Sequence, residues 1–555
     1  MPRSAPETGA NGGLRFVDVA GPAGLDVVNV SGDPRRWYIP ESNGTGAAWL
    51  DYDGDGDIDL FVGNGAGLRY IDDGRRLEIV RSASSRLYRN DGALRFTDVT
   101  SSTGAGRTEW INSVTTGDID NDGDPDLYLG VFGRDVLLRN DGGVFIDATD
   151  AAGLGNELWA AGAAFADTDR DGDLDLYVAN YVEFDTEHPP LDGRRNVIDN
   201  VEIAWGPEEE NKRGLNRGAP DRFYIGDGHG RFVEATEAAG LGLDKPLCSY
   251  AVVFSDVDLD GWPDILVAND MQPANLFHNA GDGTFVEQAA ERGFAYGAEG
   301  QTTSAMGLIV ADVDGDGDDD VFRTNFDLED NSLHLNDGSG QFVADTAAAG
   351  LAPASRDRLG WGGGFFDAEL DGDLDLLVAN GHVLPQAERI GMNPWLQQTQ
   401  LFEFVGSESG APRWRDATVG AGPGLALARS ARGVALGDPD DDGDVDAVII
   451  DLDSPPRLLE NRSERLGHWL TVRTIGSRSN RDGLGAVVTV HAAGRRWTAQ
   501  MRTTNGLYSA HDPRLHFGLG EVERVDRVVV RWPSGVEQEV ADPGFDRLVA
   551  IEETP

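Results

Sequence analysis

Cysteine is almost absent: Cys248 is the single one in 555 residues. No intrachain disulfide can form, so covalent cross-links are excluded as a source of stability. Bases are also in deficit, with 46 Lys and Arg against 96 Asp and Glu, a net charge of −50. A chain of that sign has no general electrostatic footprint for nucleic acid and is repelled by anionic membrane surfaces. No run approaches the ~20 apolar residues of a membrane-spanning helix, which excludes membrane insertion of that kind. The opening residues MPRSAPETGANGGLRF lack the apolar segment of an export signal. They read as a flexible arm over 1–13, and the expectation is a cytoplasmic location, with secretion as the alternative if the N-terminus is processed or incomplete. GxSxG, HExxH and a Gly-rich phosphate loop are missing too, so no catalytic residue is assigned and the question of enzyme activity stays open.

Apolar residues make up 40% of the chain, enough for a substantial core, and the acids are evenly spaced between apolar runs. One pattern recurs seven times: DYDGDGDID (51–59), DIDNDGDPD (118–126), DTDRDGDLD (167–175), DVDLDGWPD (256–264), DVDGDGDDD (312–320), DAELDGDLD (367–375) and DPDDDGDVD (438–446). Positions one, three, five and nine carry the metal-ligating chemistry. They are Asp51, Asp53, Asp55 and Asp59; Asp118, Asp120, Asp122 and Asp126; Asp167, Asp169, Asp171 and Asp175; Asp256, Asp258, Asp260 and Asp264; Asp312, Asp314, Asp316 and Asp320; Asp367, Glu369, Asp371 and Asp375; and Asp438, Asp440, Asp442 and Asp446.

Four carboxylates on nine residues are forced together, and two unit charges ~4 Å apart repel by about 4 kcal/mol at an effective dielectric near 20. A hard cation with six to eight oxygen ligands relieves this, and calcium suits a flexible carboxylate cage better than magnesium does. Up to seven structural calcium ions are therefore expected. A glycine in sixth place permits the bend, and Trp262 in seventh place of the fourth loop implies that the seventh residue contributes its backbone carbonyl. An EF-hand is excluded because the twelfth residue is Val62, Leu129, Val178, Val267, Arg323, Val378 or Ile449 and never Glu.

Between the loops runs a second repeat, a tight turn and an aromatic strand, as in NDGALRFTDVT (90–100) and GDGTFVEQA (281–289). Strand, Asp loop, strand, turn and aromatic strand make about four strands per repeat, the content of one propeller blade. Seven loops are followed by six aromatic strands, and the missing strand is LRFVDVAGPAGL (14–25), ahead of the first loop. Pairing it with the last repeat closes a ring. The fold class expected is all-β: a seven-bladed β-propeller with calcium loops over 14–464, and a small C-terminal β domain over 465–555. The longest interval between loops contains a Pro-, Gly- and charge-rich insertion at about 184–220. Trp205 in that insertion, Trp361 and His382 are candidates for contacting a ligand at a propeller face. Trp110 is a further candidate, packing into the core is the favoured reading for each of the tryptophans, and Cys248 reads as a core thiol.

Residues 465–555 hold 12 Arg against 11 acids, a net of +1, which leaves −51 on 1–464. Strands are predicted at 468–475, 486–492, 495–501 and 524–532. Trp469-Leu470, Ser479-Asn480-Arg481-Asp482-Gly483-Leu484-Gly485-Ala486, Asp512 to Gly520 and Val530-Arg531-Trp532-Pro533-Ser534-Gly535 resemble the ASPIC/UnbV domain, and the repeats resemble FG-GAP/VCBS propellers. The resemblance implies two backgrounds. One is that of cartilage acidic protein and its bacterial relatives, secreted calcium-binding adhesion or matrix proteins. The other is that of UnbV, encoded with enediyne polyketide synthases. Two functions are accordingly expected as alternatives. The first is a calcium-stabilised module binding an unknown protein or small molecule at a propeller face. The second is a biosynthetic protein, enzyme or not, acting on a polyene or enediyne polyketide precursor.

Overall fold

Each Asp loop joins two strands of a hairpin whose registers start at the loop itself. In the first, Ala47–Leu50 leads in and Asp59–Val62 leads out, with Leu50 opposite Asp59. Arg86–Asn90 pairs with the outgoing strand, and the aromatic strand Phe96–Asp98 lies outermost. The computed structural model describes residues 13–72, 76–189, 196–198, 201–203, 217–408 and 411–555. Among them the same four-stranded antiparallel sheet occurs seven times within residues 16–461. The first strands are Ala47–Leu50, Ile111–Gly117, Ala160–Ala166, Ser249–Ser255, Ala305–Ala311, Gly360–Phe366 and Ala431–Gly437. Each packs beside the next, and Ala431–Gly437 packs beside Ala47–Leu50, so the inner strands form a closed cycle. That is the architecture of a β-propeller. Small residues in these strands, as in AAGAAFA (160–166), let neighbouring backbones approach around the axis.

In the seventh sheet Arg457–Asn461 pairs antiparallel with Phe16–Asp18, Phe16 lying opposite Asn461. The N-terminal strand is thus hydrogen-bonded to the last sheet, and no outer strand is missing there. Two short hairpins are additions to this plan: Gly67–Ile71 with Arg76–Val80, and Asn196–Ile198 with Val201–Ile203. Most of the 184–220 insertion, including Trp205, lies outside the described residues.

The C-terminal region forms two further sheets. Leu515–Gly520, His468–Ile475 and Arg547–Glu552 make one, with the last two strands parallel; Arg495–Gln500, Val487–Ala492, Arg527–Arg531 and Glu537–Ala541 make the other. These sheets do not stand apart from the ring. Val472, Val488, Val490, Trp532 and Ile551 share one apolar core with Ile119, Phe165 and Leu174 of the second and third propeller sheets.

Between the two C-terminal sheets, residues 503–512 enter the axis of the ring. Thr503 Oγ1 donates to the Thr116 carbonyl at 2.9 Å, and Thr504 Oγ1 reaches the Ala163 carbonyl at 3.2 Å. Gly506 exchanges backbone hydrogen bonds with Leu308, and Ala510 N–H donates to the Ala47 carbonyl. The Asp512 N–H donates to the Leu436 carbonyl. Tyr508 contributes its ring, 6.4 Å from both Tyr250 and Trp361. Through this one segment the C-terminal region touches the inner strand of every propeller sheet. From the other end, where the inner strands begin, the carbonyls of Ser42 and Gly44 accept from Arg432 and Asn112, and the Tyr250 hydroxyl donates to Asn43 Oδ1. The axis is filled from both ends.

Candidate functional site

The seven Asp loops share one internal geometry. The sixth residue is always glycine, with φ between 93° at Gly261 and 100° at Gly56. Such values lie in the left-handed region that favours glycine, and they turn the glycine N–H onto the first carboxylate: Gly123 to Asp118 Oδ2 at 2.7 Å, Gly372 to Asp367 Oδ2 at 2.7 Å. The fifth carboxylate accepts from the seventh residue's N–H, including that of Trp262, which donates to Asp260 Oδ1 at 2.9 Å. Trp262 therefore fits the loop through its backbone. The fourth residue is left-handed as well, at Asn121, Arg170, Leu259, Leu370 and Asp441, with Gly54 and Gly315 in the other two loops. The sequence reading missed that requirement because the side chains there differ.

The ninth carboxylate is buried and ties three parts of a sheet together. Asp126 accepts from the Ile119 N–H through Oδ2 at 3.0 Å and from the Asn140 N–H through Oδ1 at 2.7 Å. Asp59, Asp175, Asp264, Asp320, Asp375 and Asp446 likewise accept an N–H from the third strand. Five of those third strands end in Asn, which sequence reasoning read as a turn residue alone. Its side chain links adjacent sheets: Asn140 Nδ2 donates to the Tyr52 carbonyl at 2.9 Å, Asn279 to Thr168 at 2.9 Å, and Asn336 to Val257 at 2.7 Å. Asn461 donates to Ala368 and Asn90 to Pro439, the latter joining the first sheet to the seventh loop. For Asn90, Asn140 and Asn336 the signal was the Asn of Asn-Asp-Gly; Asn279 and Asn461 lack it.

Whether the loops suit a cation is answered by their unpartnered oxygens. Asp51 Oδ1, Asp120 Oδ1, Asp167 Oδ1, Asp256 Oδ1, Asp318 Oδ1, Glu369 Oε2 and Asp446 Oδ2 are shut from solvent without a hydrogen-bond partner. Each loop contributes at least one. A buried carboxylate oxygen with no donor is costly, and a divalent cation with oxygen ligands supplies what is missing. Ligand atoms of Asp51, Asp53 and Asp59, of Asp118, Asp120 and Asp122, of Asp167, Asp169 and Asp171, and of Asp312, Asp314 and Asp316 lie within 4.8 Å of one another. Burial, reinforced by neighbouring carboxylates, pushes Asp167 and Asp312 up to about 7 and Asp320 up to about 9. The residues present fit calcium, and without it Asp167, Asp312 and Asp320 hold their protons more readily than an exposed Asp does.

The loops are not an open crown. Arg473 approaches Asp51 at 3.6 Å, the Asp118 N–H donates to Asp482 at 2.8 Å, and Arg170 Nε donates to the Pro533 carbonyl at 2.6 Å. Arg531 pairs with Asp256 at 3.0 Å, Arg495 with Asp373 at 3.3 Å, and Arg514 with Asp441 at 2.7 Å. Arg502 pairs with Asp319 of the fifth loop. All seven loops thus meet the C-terminal region, five of them through its arginines.

Of the face candidates, Trp361 and His382 are both buried. Trp361 is fully buried, its Nε1 donates to the Gly381 carbonyl at 2.7 Å, and the Arg432 guanidinium sits 4.0 Å from its ring centroid. His382 is fully buried too, its Nδ1 accepts from the Leu384 N–H at 3.0 Å, and burial lowers its pKa to about 4. Both lie at the end of the axis away from the Asp loops, packed rather than presented. Trp110 packs edge-on to Phe132, and Cys248 is buried, its thiol pushed up to about 12.

The repeats and the ring define a β-propeller with Asp-rich loops whose clustered carboxylates could hold metal ions. The family described as FG-GAP-like repeat matches residues 51–129 and 256–323, and that described as ASPIC and UnbV matches residues 476–555. The chain belongs with the proteins that join FG-GAP-like repeats to a C-terminal ASPIC and UnbV region. It is similar to cartilage acidic protein 1 of Mus musculus, 26% identical over 326 residues covering 57% of this chain and 46% of that protein. The protein of the same name from Homo sapiens is also 26% identical, over 57% of this chain and 45% of its own length. The similarity spans just under half the length of these curated relatives. Among solved structures, an Agrocybe aegerita lectin recognising non-reducing terminal N-acetylglucosamine overlays with a TM-score of 0.35 at 15% identity, covering 68% of this chain and 87% of the lectin. BBS1N in complex with ARL6DN overlays with a TM-score of 0.38 at 9% identity, covering 76% of this chain and 93% of that one. No helix among the described residues is long and apolar enough to cross a membrane.

Proposed function

We propose that the chain is a calcium-stabilised, seven-bladed propeller serving as a ligand-binding or protein-interaction module, with 14–464 as the ring and 465–555 as its cap. The observation that carries this is the unpartnered buried carboxylate oxygen in each Asp loop. A ring pinned by such loops is rigid, and rigid propellers present their working residues on faces and long loops. The cap covers the face that bears the loops, so the partner is met on the opposite face or on the 184–220 insertion. The cartilage acidic protein relatives favour a secreted role, and sensor-grade or weaker calcium loops fill outside the cytosol rather than within it. The biosynthetic alternative rests on the ASPIC and UnbV match alone.

The test is calcium counting and unfolding of the full chain. Dialysis against a chelator, followed by calcium titration, is expected to load several ions and to raise the melting temperature. A chain that melts at one temperature with and without verified calcium loading overturns the reading.

A further inference from the structure

The residue preceding the ninth carboxylate's third-strand partner overlooks each Asp loop, and its identity varies around the ring. It is Arg89, Arg139, Ile225, His278, Leu335, Glu403 or Glu460 in order. The fourth loop alone among these carries an imidazole. His278 Nδ1 lies 3.4 Å from Asp258 Oδ2 and 3.1 Å from Asp264 Oδ1. One ring nitrogen of His278 and one oxygen each of Asp258 and Asp260 fall within 4.8 Å of one another.

Two more observations bear on this loop. Asp256, 5% exposed, keeps an oxygen without a partner, as does Asp258. Its charge balance also differs: Arg531 pairs with Asp256 at 3.0 Å and Arg292 with Asp258 at 3.0 Å. Four carboxylates against two guanidiniums leave a charge of −2, which one dication balances. Calcium seeks six to eight hard oxygens, whereas imidazole with carboxylate suits first-row transition metals.

We propose that the fourth Asp loop is a mixed nitrogen–oxygen site that selects a first-row transition-metal dication over calcium, with Asp258, Asp260 and His278 as ligands. This rests on the reading of the Asp loops as metal sites. The six other loops remain calcium sites, and the fourth is the one at which a second metal enters the ring without competing for them.

The experiment uses the full chain. Calcium uptake is counted first; then half an equivalent of Mn2+ is added in excess calcium, and free and bound manganese are separated by electron paramagnetic resonance. The expected result is retained manganese with an imidazole-nitrogen coupling in the pulsed spectrum. His278→Gln should abolish that coupling and weaken retention about tenfold or more. His278→Leu is the second variant, because Leu335 occupies the same register in the fifth sheet; melting in calcium verifies that each variant folds. Manganese displaced by calcium, or retained with unchanged nitrogen coupling in both variants, overturns the assignment. A protein that loads calcium but not manganese sinks this assignment alone, whereas one that loads no calcium sinks the reading of the loops.

Discussion

Tyr508 and Tyr250 meet on the axis of the ring with centroids 6.4 Å apart, one from the C-terminal region and the other from the inner strand of the fourth sheet. Trp361 of the sixth sheet is 6.2 Å from Tyr250 and 6.4 Å from Tyr508, so three rings fill the centre. The axial space of this propeller is occupied by its own chain, and the stability of the ring and the seating of the cap are one property.

Tyr508→Ala removes the ring at that centre. Tyr508 is 2% exposed, and the surrounding inner strands are too tightly hydrogen-bonded to collapse onto the gap. Truncating a large buried aromatic costs about 3–5 kcal/mol. Chemical denaturation in saturating calcium should show a loss of that size in a single transition. A loss below about 1 kcal/mol, within the range of ordinary surface substitutions, would mean that the segment is not seated.

Asn90→Ala tests the link between the first and last sheets. Asn90 Nδ2 donates to the Ile58 carbonyl at 3.0 Å and the Pro439 carbonyl at 2.6 Å, both across buried backbone. Leaving these acceptors unpaired costs about 1–3 kcal/mol. Because Pro439 follows Asp438 in the seventh loop, amide hydrogen exchange should also quicken at 440–444. Unchanged exchange there would show that the link carries no strain between the sheets.

How much of this was legible beforehand follows from what repetition can encode. The Asp loops, their sixth glycine and the leftover strand at 14–25 are spelled out by residues of fixed type at fixed spacing. His468–Ile475 matches its predicted span, whereas Leu515–Gly520, Glu537–Ala541 and Arg547–Glu552 were not anticipated. Those strands pair across long sequence distances without a regular alternation to announce them, and Arg547–Glu552 is parallel to its partner. The insertion of 503–512 into the axis was illegible for another reason: Thr503, Asn505 and Ser509 look like loop residues until the inner strands supply their hydrogen-bond partners. The burial of Trp361 agrees with the packing reading, whereas His382 does not face the mouth, because a position at a strand end does not say whether the ring axis beyond it is open.

Calcium and protons compete for the same carboxylates, with a definite sign. Burial above all pushes Asp118, Asp167, Asp256 and Asp312 up to about 7, and Asp59 and Asp438 up to about 8. An unfolded Asp titrates near ~3.9. A folded pKa raised in this way gives stability that is complete below the unfolded value and is lost as pH rises through the folded one. In chelator the melting temperature should therefore fall between about pH 5 and pH 8. Calcium requires the deprotonated loops, so saturating calcium should flatten or reverse that slope, and uptake at pH 7 should release protons measurable by titration in buffers of different ionisation enthalpy. A chelated protein whose melting temperature is level across this range would contradict the crowding of these carboxylates.

Ring closure by the N-terminal strand gives the last test. Phe16 is fully buried, and its strand covers Arg457–Asn461 from Phe16↔Asn461 to Asp18↔Leu459. Removing residues 1–25 leaves that strand as an unpaired edge, a template for pairing with another chain. The truncated protein should self-associate on size-exclusion chromatography and melt earlier. A synthetic peptide of residues 13–25 should then dock by adding its strand to the exposed edge and restore the monomer. Rescue requires the backbone register and the Phe16 side chain together, so the same peptide carrying Phe16→Ser should fail. A truncated chain that stays monomeric with an unchanged melting temperature would show that the ring closes through the axial segments and Asn90 instead, with the outer strand dispensable.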